Sequence, residues 1–403
     1  MNQSFSTTIQ IKQHTPLIHF QYSQSGAALR ATELKPKLDK FLIKKVFKGD
    51  FQEYKNYLVE HDENQYKKLN EQEKTRYEKD IHKALDYKIT VIARDQSHFS
   101  YKVITENKTG ILYSQMNINI FCFHQKLLNI INQYINEFFI LHQFGLGQSK
   151  GFGGFTTRQT TPKLFEQILE KNYHVIYKKE LKHIKNYKDA LEIIKREYQM
   201  LKSGINFKGY VKSKLFQYMC REHDIDWEKR YIKETLKKEY PEIFSLLLKD
   251  TDENRIQRCP SAKEKPGYKY IRALLGLAEH NEYRVDKRKS PLEKIKIIIK
   301  DKQEQITRFQ SPIQFKIFKE NNNYTLYLLP QPIVDDIFDR EFSFWLEKAY
   351  QDKKRKESLK HLFTIPTPKK EQFDLVGFLD SSLEFKKSSN GYGWERTTGE
   401  LQK

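Results

Sequence analysis

The chain has 403 residues, 38% hydrophobic and 13% aromatic, enough to build two ordinary domains with cores of their own. Lys and Arg number 72 against 52 Asp and Glu, a net charge of +20, and a compact chain this basic is best explained by a polyanionic partner, nucleic acid first among them. No run of about 18 apolar residues is present, so a membrane-spanning helix is excluded. The polar first residues lack a signal-peptide core. Cys122, Cys220 and Cys259 are scattered, with neither zinc-ligand spacing nor a disulfide framework. A reducing, cytoplasmic setting is expected, with no membrane, metal or cofactor.

Residues 6–12 alternate, with Ile9 and Ile11 on one face, and read as a strand. Thr15-Pro16-Leu17 interrupts the run. A helix then starts near Ala31 or Thr32, its apolar stripe being Leu34, Leu38, Phe41 and Leu42. The charged, Tyr-rich stretch at about 48–86 reads as a helical insertion. Strands follow at 87–93, 99–104 and 111–123, with Ile118, Ile120 and Cys122 sharing a face. The amphipathic helix 127–141 carries Leu127, Ile130, Ile131, Tyr134, Ile135 and Phe138 in register, and a glycine-rich loop leads to a last strand near Phe155. That order is βαββαβ, and the expected fold class is α+β with a ferredoxin-like (RRM-like) domain over 1–160. Such a domain has an open sheet face able to meet a nucleic acid.

The remainder, 161–403, reads as mainly helical, with helices at 190–202, 210–220, 227–238 and 268–279. Two strands alternate on either side of Glu320-Asn321-Asn322-Asn323 and make a hairpin at about 313–329. A helix at 342–349 and a Gly/Ser/Lys-rich tail end the chain. A degenerate second ferredoxin-like unit is an alternative reading of this half.

The loop Phe144-Gly145-Leu146-Gly147-Gln148-Ser149-Lys150-Gly151-Phe152-Gly153-Gly154-Phe155, placed after βαββα, resembles the glycine-rich loop of the RAMP superfamily of CRISPR-associated proteins. Thr15-Pro16-Leu17 resembles the Thr-Pro-Leu turn of that superfamily, although Ile18-His19-Phe20 replaces the usual His-x-Gly after it. The segment 308–316, with Ser311-Pro312 before a late strand, resembles the first subunit of Cmr-type (type III-B) effector complexes. The resemblance implies an RNA-binding, non-catalytic subunit of a type III-like CRISPR effector ribonucleoprotein in antiviral defence. Its partners would be guide or target RNA and other effector subunits.

Glycines admit positive φ and close approach to a ligand, and successive exposed amides can cradle a phosphate. The expected RNA-binding residues are therefore Gly145, Gly147, Lys150, Gly151, Gly153, Gly154 and Arg158 in and after the loop. Arg30, Lys35 and Lys37 join them on the first helix. Phe152 and Phe155 are candidates for base stacking or for the core. The basic runs 287–289 and 353–356 read as solvated faces or assembly contacts. The enzymatic alternative is a metal-independent endoribonuclease that processes CRISPR RNA, for which His19 and His142 are weak catalytic candidates beside His14 and His124. A protein-binding scaffold is the second alternative.

Overall fold

The computed structural model describes all residues except 1–3, 20–28, 104–105, 185, 207–209, 248–266, 287, 289, 322, 353–356, 387–392 and 400–403. The expected basic run 353–356, two positions of the run 287–289, and Cys259 thus lie outside the described residues. The chain divides into two compact units. The first comprises Met1–Leu191, Phe315–Leu328 and Arg396–Lys403, and the second comprises Glu192–Gln314 and Leu329–Glu395.

In the first unit, β1 (Ser6–Gln13), β2 (Leu17–Ile18), β3 (Lys88–Val103), β4 (Glu106–Phe121) and β5 (Phe155–Thr157) form one sheet. β4 pairs antiparallel with β3 on one side and with β1 and β2 on the other, and β5 adds antiparallel to β1. Between these strands run α1 (Ala31–Lys45), the short α2 (Phe51–Tyr54), α3 (Glu63–Lys67) and α4 (Glu71–Asp80), then α5 (Gln125–Leu141). Strand alternation sends Ile11, Met116, Ile118 and Ile120 to one face, where the Leu34/Leu38/Phe41/Leu42 stripe of α1 and Leu127, Ile131, Ile135 and Phe138 of α5 cover them. The insertion is helical as expected. Side chains of Asp50, Asp62 and Asn70 cap its helices, the last in a capping box with Glu73. Phe51, Tyr54 and Tyr66 of the insertion enter the same core.

The first unit continues past residue 160. After α6 (Pro162–Asn172), β6 (Val175–Leu181) lies in a second sheet between strands Asn323–Pro330 and Glu395–Thr398, with Ile313–Glu320 beyond Asn323–Pro330. The expected hairpin is therefore present. In the second unit, strands His280–Arg284, Leu292–Asp301, Glu341–Tyr350 and Lys360–Pro366 make a four-stranded antiparallel sheet. Helices Lys214–His223 and Glu228–Glu239 match the expected 210–220 and 227–238 within a few residues.

Two expectations for this half are corrected. Residues 342–349 are strand, because Phe342, Phe344 and Leu346 are buried at period two. Residues 268–279 are not an amphipathic helix: Ile271 to Leu275 are buried on every side in a 3-10 turn. With strands Leu292–Asp301 and Lys360–Pro366 added, the half is not mainly helical but a mixture of helix and antiparallel sheet. Cys122 is a buried free thiol.

Candidate nucleic-acid interface

The glycine loop leaves α5 and returns to the sheet through contacts with three distant segments. The Gly145 amide donates to the Glu33 carboxylate of α1 (2.9 Å), and Leu146 N–H donates to Ile18 O (2.9 Å). Gly153 N–H donates to Pro16 O, and Gly154 N–H to the Thr15 hydroxyl, both at 2.9 Å. Lys150 and Gly151 donate to Gly147 O and Gln148 O inside the loop. Gly145, Gly147, Gly151 and Gly153 all have positive φ. At Gly153 nothing larger fits, since a Cβ would sit 1.8 Å from Phe144 O. On the far side, Phe315 N–H donates to Ser149 O (3.0 Å). Phe315 belongs to the strand Ile313–Glu320, which follows the Ser-Pro dipeptide in sequence.

The charged candidates on α1 are engaged internally. Lys35 Nζ donates to Asp39 Oδ2 and to Leu85 O, both 2.8 Å, and lies 4.5 Å over the Tyr87 ring. Lys37 Nζ reaches Glu33 Oε1 (3.1 Å), Gln143 O (2.9 Å) and Gln148 Oε1 (3.4 Å). Lys37 thus ties the first turns of α1 to the glycine loop. Arg30 is the N-cap residue of α1, and its carbonyl accepts from Leu34 N–H. Lys150 is half-buried, and burial pulls its ammonium below the usual lysine range. Phe152 and Phe155 are core residues at 2% exposure each, which removes them as stacking surfaces. Arg158 is the exposed member of the charged candidates; its amide donates to Gln10 O.

Burial lowers the basicity of each histidine near the loop. His14 is buried, with Nδ1 accepting from Lys319 N–H and Nε2 facing the Thr156 hydroxyl at 2.9 Å. Burial and the nearby Lys12 charge lower it to about 3. His142 caps the C-terminus of α5, its Nδ1–H donates to Phe138 O (2.9 Å), and burial lowers it to about 4. His19 is buried, and burial followed by the Arg30 charge lowers it too.

The face of the first sheet turned away from α1 and α5 is polar. Thr8, Asn119 and Thr90 stand in one row across β1, β4 and β3, with Thr8 Oγ1 donating to Asn119 Oδ1 at 3.0 Å. Gln10, Asn117 and Ile92 form the next row, flanked by Arg158. Gln115 and Arg94 pair one step further, and Lys88 pairs with Phe121 at the opposite end. Lys12 sits at the margin, where Phe318 and Glu320 cover it. Lys88, Arg94 and Arg158 are exposed. Among the described side chains of β1, β3, β4 and β5 the one carboxylate is Asp95, which leaves the ladder at a positive φ and accepts from Ser114.

Residues 4–205 match the family model for the Cmr1 N-terminal domain, and residues 210–393 match the Cmr1 C-terminal domain. The chain belongs to the Cmr1 family. The sequence resemblance to RAMP proteins of Cmr-type, type III-B CRISPR effectors is met, and the chain is a subunit of such an effector complex. The solved apo structure of Cmr1 from Pyrococcus furiosus aligns over 83% of this chain and 91% of that one, at 10% identity and a TM-score of 0.33. Membership rests on the sequence match rather than on that distant likeness. No curated protein matches the sequence. No helix among the described residues is long and apolar enough to cross a membrane, and no group of His, Cys, Asp and Glu among them could hold a metal ion.

The loop glycines, Lys37 and Arg30 thus lie around one junction of the first unit, with Lys35 on the same helix but turned to Leu85 and Tyr87. Sequence reasoning found Arg158 but missed Glu33, which the loop amide needs, and the other two exposed cations of the open face, Lys88 and Arg94. The signal for the second was present in the alternation itself: the strands that turn Ile9, Ile118 and Ile120 inward must turn Thr8, Gln10, Asn117 and Asn119 outward.

Proposed function

We propose that the chain binds RNA within its type III-B effector as a non-catalytic subunit, through phosphate contacts on the open face of the first sheet. The observation that carries this reading is the exposed Lys88, Arg94 and Arg158 on a face lined by Thr, Asn and Gln, in a chain of net charge +20. The strand order β5-β1-β4-β3, all antiparallel with helices on one side, supports reading the first unit's sheet as ferredoxin-like. Guide or target RNA and neighbouring effector subunits are its partners, and we place the complex in the cytoplasm. Acid–base cleavage of RNA works best with groups that titrate near neutral pH, and His14 and His142 are depressed to about 3 and about 4. That favours binding without cleavage.

The test is binding of labelled single-stranded RNA with a chelator present and salt varied. Binding should weaken steeply with salt and leave the RNA intact. K88Q and R158Q should each shallow the log–log salt slope by about 0.7, the value for one phosphate contact on a single strand. Chelator-resistant cleavage would make the chain a processing nuclease, and no binding at low salt would make it a protein scaffold.

A further inference from the structure

Three phenylalanines stand in water at one end of the open face. Phe5 is 41% exposed, Phe121 39% and Phe123 68%. Their rings form one cluster: Phe121 meets Phe123 edge-on at 4.8 Å and 82°, and Phe5 lies 6.0 Å from Phe123. The placement follows from the strand. Ile120 and Cys122 enter the core, so Phe121 faces the open side, and Cys122 N–H donates to Phe5 O to hold the two chain segments together. The free thiol of Cys122 is buried against Asp86 O and His124 O, which fixes the backbone from which Phe123 projects. The rings therefore sit on rigid backbone and are held away from the core. Lys88 stands directly across from Phe121, and the amide and hydroxyl rows lead from there to Arg158.

We propose that Phe5, Phe121 and Phe123 are a base-stacking platform for single-stranded RNA, whose phosphates run past Lys88 toward Arg158. The proposal rests on the RNA-binding reading above and locates the bases within it. Aromatic rings stack on any base, so the contact is tolerant of sequence, as a subunit that must accept many different guides or targets requires. The occupant is a polyanion rather than an apolar protein surface because cations and neutral hydrogen-bonding groups, not further apolar side chains, continue the patch across the sheet. Ile92, 43% exposed, is the apolar exception in those rows.

The probes are an oligo(A) strand and an abasic strand of equal length, which keeps the phosphates and lacks the bases. The full chain should bind oligo(A) more tightly than the abasic strand. F123A should lose on the order of tenfold in oligo(A) affinity, with abasic affinity and salt slope unchanged. F123W should retain binding and show its indole fluorescence quenched by oligo(A). If F123A and F121A bind oligo(A) like the parent, stacking occurs elsewhere and the platform is refuted, while RNA binding stands. If the chain binds neither strand at low salt, the RNA-binding reading itself fails. If F123A instead dissolves a self-associated species in sedimentation with RNA affinity unchanged, the rings cover a second copy and the proposal is wrong.

Discussion

Replacing Gly153 by Ala tests whether the glycine loop is a locked element of the fold. Gly153 has φ +65, and an added Cβ would lie 1.8 Å from Phe144 O and 2.9 Å from Phe144 N. The left-handed conformation costs a non-glycine residue roughly 1–2 kcal/mol. The overlap is with backbone, and Phe144 is held by its own N–H donating to Gly153 O at 3.0 Å. Relief must break that bond or the Gly153 N–Pro16 O bond beside it, and each buried orphan costs about 1–3 kcal/mol. The total is about 2–5 kcal/mol, a large part of a typical domain stability. Gly49 supplies the control: at φ +77 its added Cβ meets nothing within 4 Å, so G49A should cost only the conformational term, about 1–2 kcal/mol. All three tryptophans, Trp227, Trp345 and Trp394, belong to the second unit, so their fluorescence would miss the effect. Hydrogen exchange of the β1 and β4 amides reads it directly. Equal protection in G153A and G49A would mean that the loop is not locked, and the reasoning would be refuted.

Thr15→Val removes the buried hydroxyl that accepts from Gly154 N–H and should lower first-unit protection by about 1–3 kcal/mol, again by hydrogen exchange. Lys316 is buried beside the loop, its ammonium donating to Leu141 O, and burial lowers it to about 7 from an unfolded value of 10.5. Between those values the unfolded chain binds a proton that the folded chain lacks, so this group's contribution to stability rises by up to about 4 kcal/mol as pH climbs from 7 to 10.5. K316M should therefore be more stable than the parent near pH 7, with a difference that shrinks toward pH 10.5 in denaturant titrations. A pH-independent difference would contradict this. In the second unit, Arg340 makes a two-point contact with Asp301, at 2.8 and 2.6 Å. Burial opposes the charge on Asp301, but Arg340 and the amides of Ile306, Gln303 and Gln305 overcome it and hold the carboxyl at about 2. That stability is present above the unfolded pKa of 3.8 and is lost as pH falls through about 2, and R340M, which strands a buried carboxylate, should cost about 3–5 kcal/mol by tryptophan-monitored unfolding.

The first unit was largely legible because its patterns are local. The α1 and α5 stripes and the alternation of β1 and β4 each declare a buried face within one stretch of sequence. The second unit was not, for a physical reason. Strand Glu341–Tyr350 is a short run in which Trp345 interrupts the contrast between buried Phe344 and Leu346, and short apolar runs satisfy helix and strand templates alike. At 271–275 even Arg272 is buried, paired with Glu228, so no periodicity survives to be read. The candidate site was half legible. The glycines announced positive φ, which holds at Gly145, Gly147, Gly151 and Gly153. What their amides bind was hidden, because the acceptors Thr15, Pro16, Ile18 and Glu33 lie more than a hundred residues earlier in the chain.

Those acceptors also say why the two motifs occur together. The Thr-Pro-Leu turn offers a hydroxyl to Gly154 and a carbonyl to Gly153, and the leucine side chain lies where a Cβ on Gly145 would come within 2.7 Å. Each motif is half of a single joint that fixes the end of α5 against the start of β2. Amides bonded inside the protein cannot also bond a phosphate, so the joint positions the sheet while the exposed groups of its open face remain available to a ligand. The two roles separate in experiment. G153A should lose RNA affinity only to the extent that it loses hydrogen-exchange protection, and stabilising the fold with an osmolyte should restore both. K88Q and R158Q should lose affinity with protection intact. Loss of RNA binding in G153A at full protection would return the phosphate site to the loop.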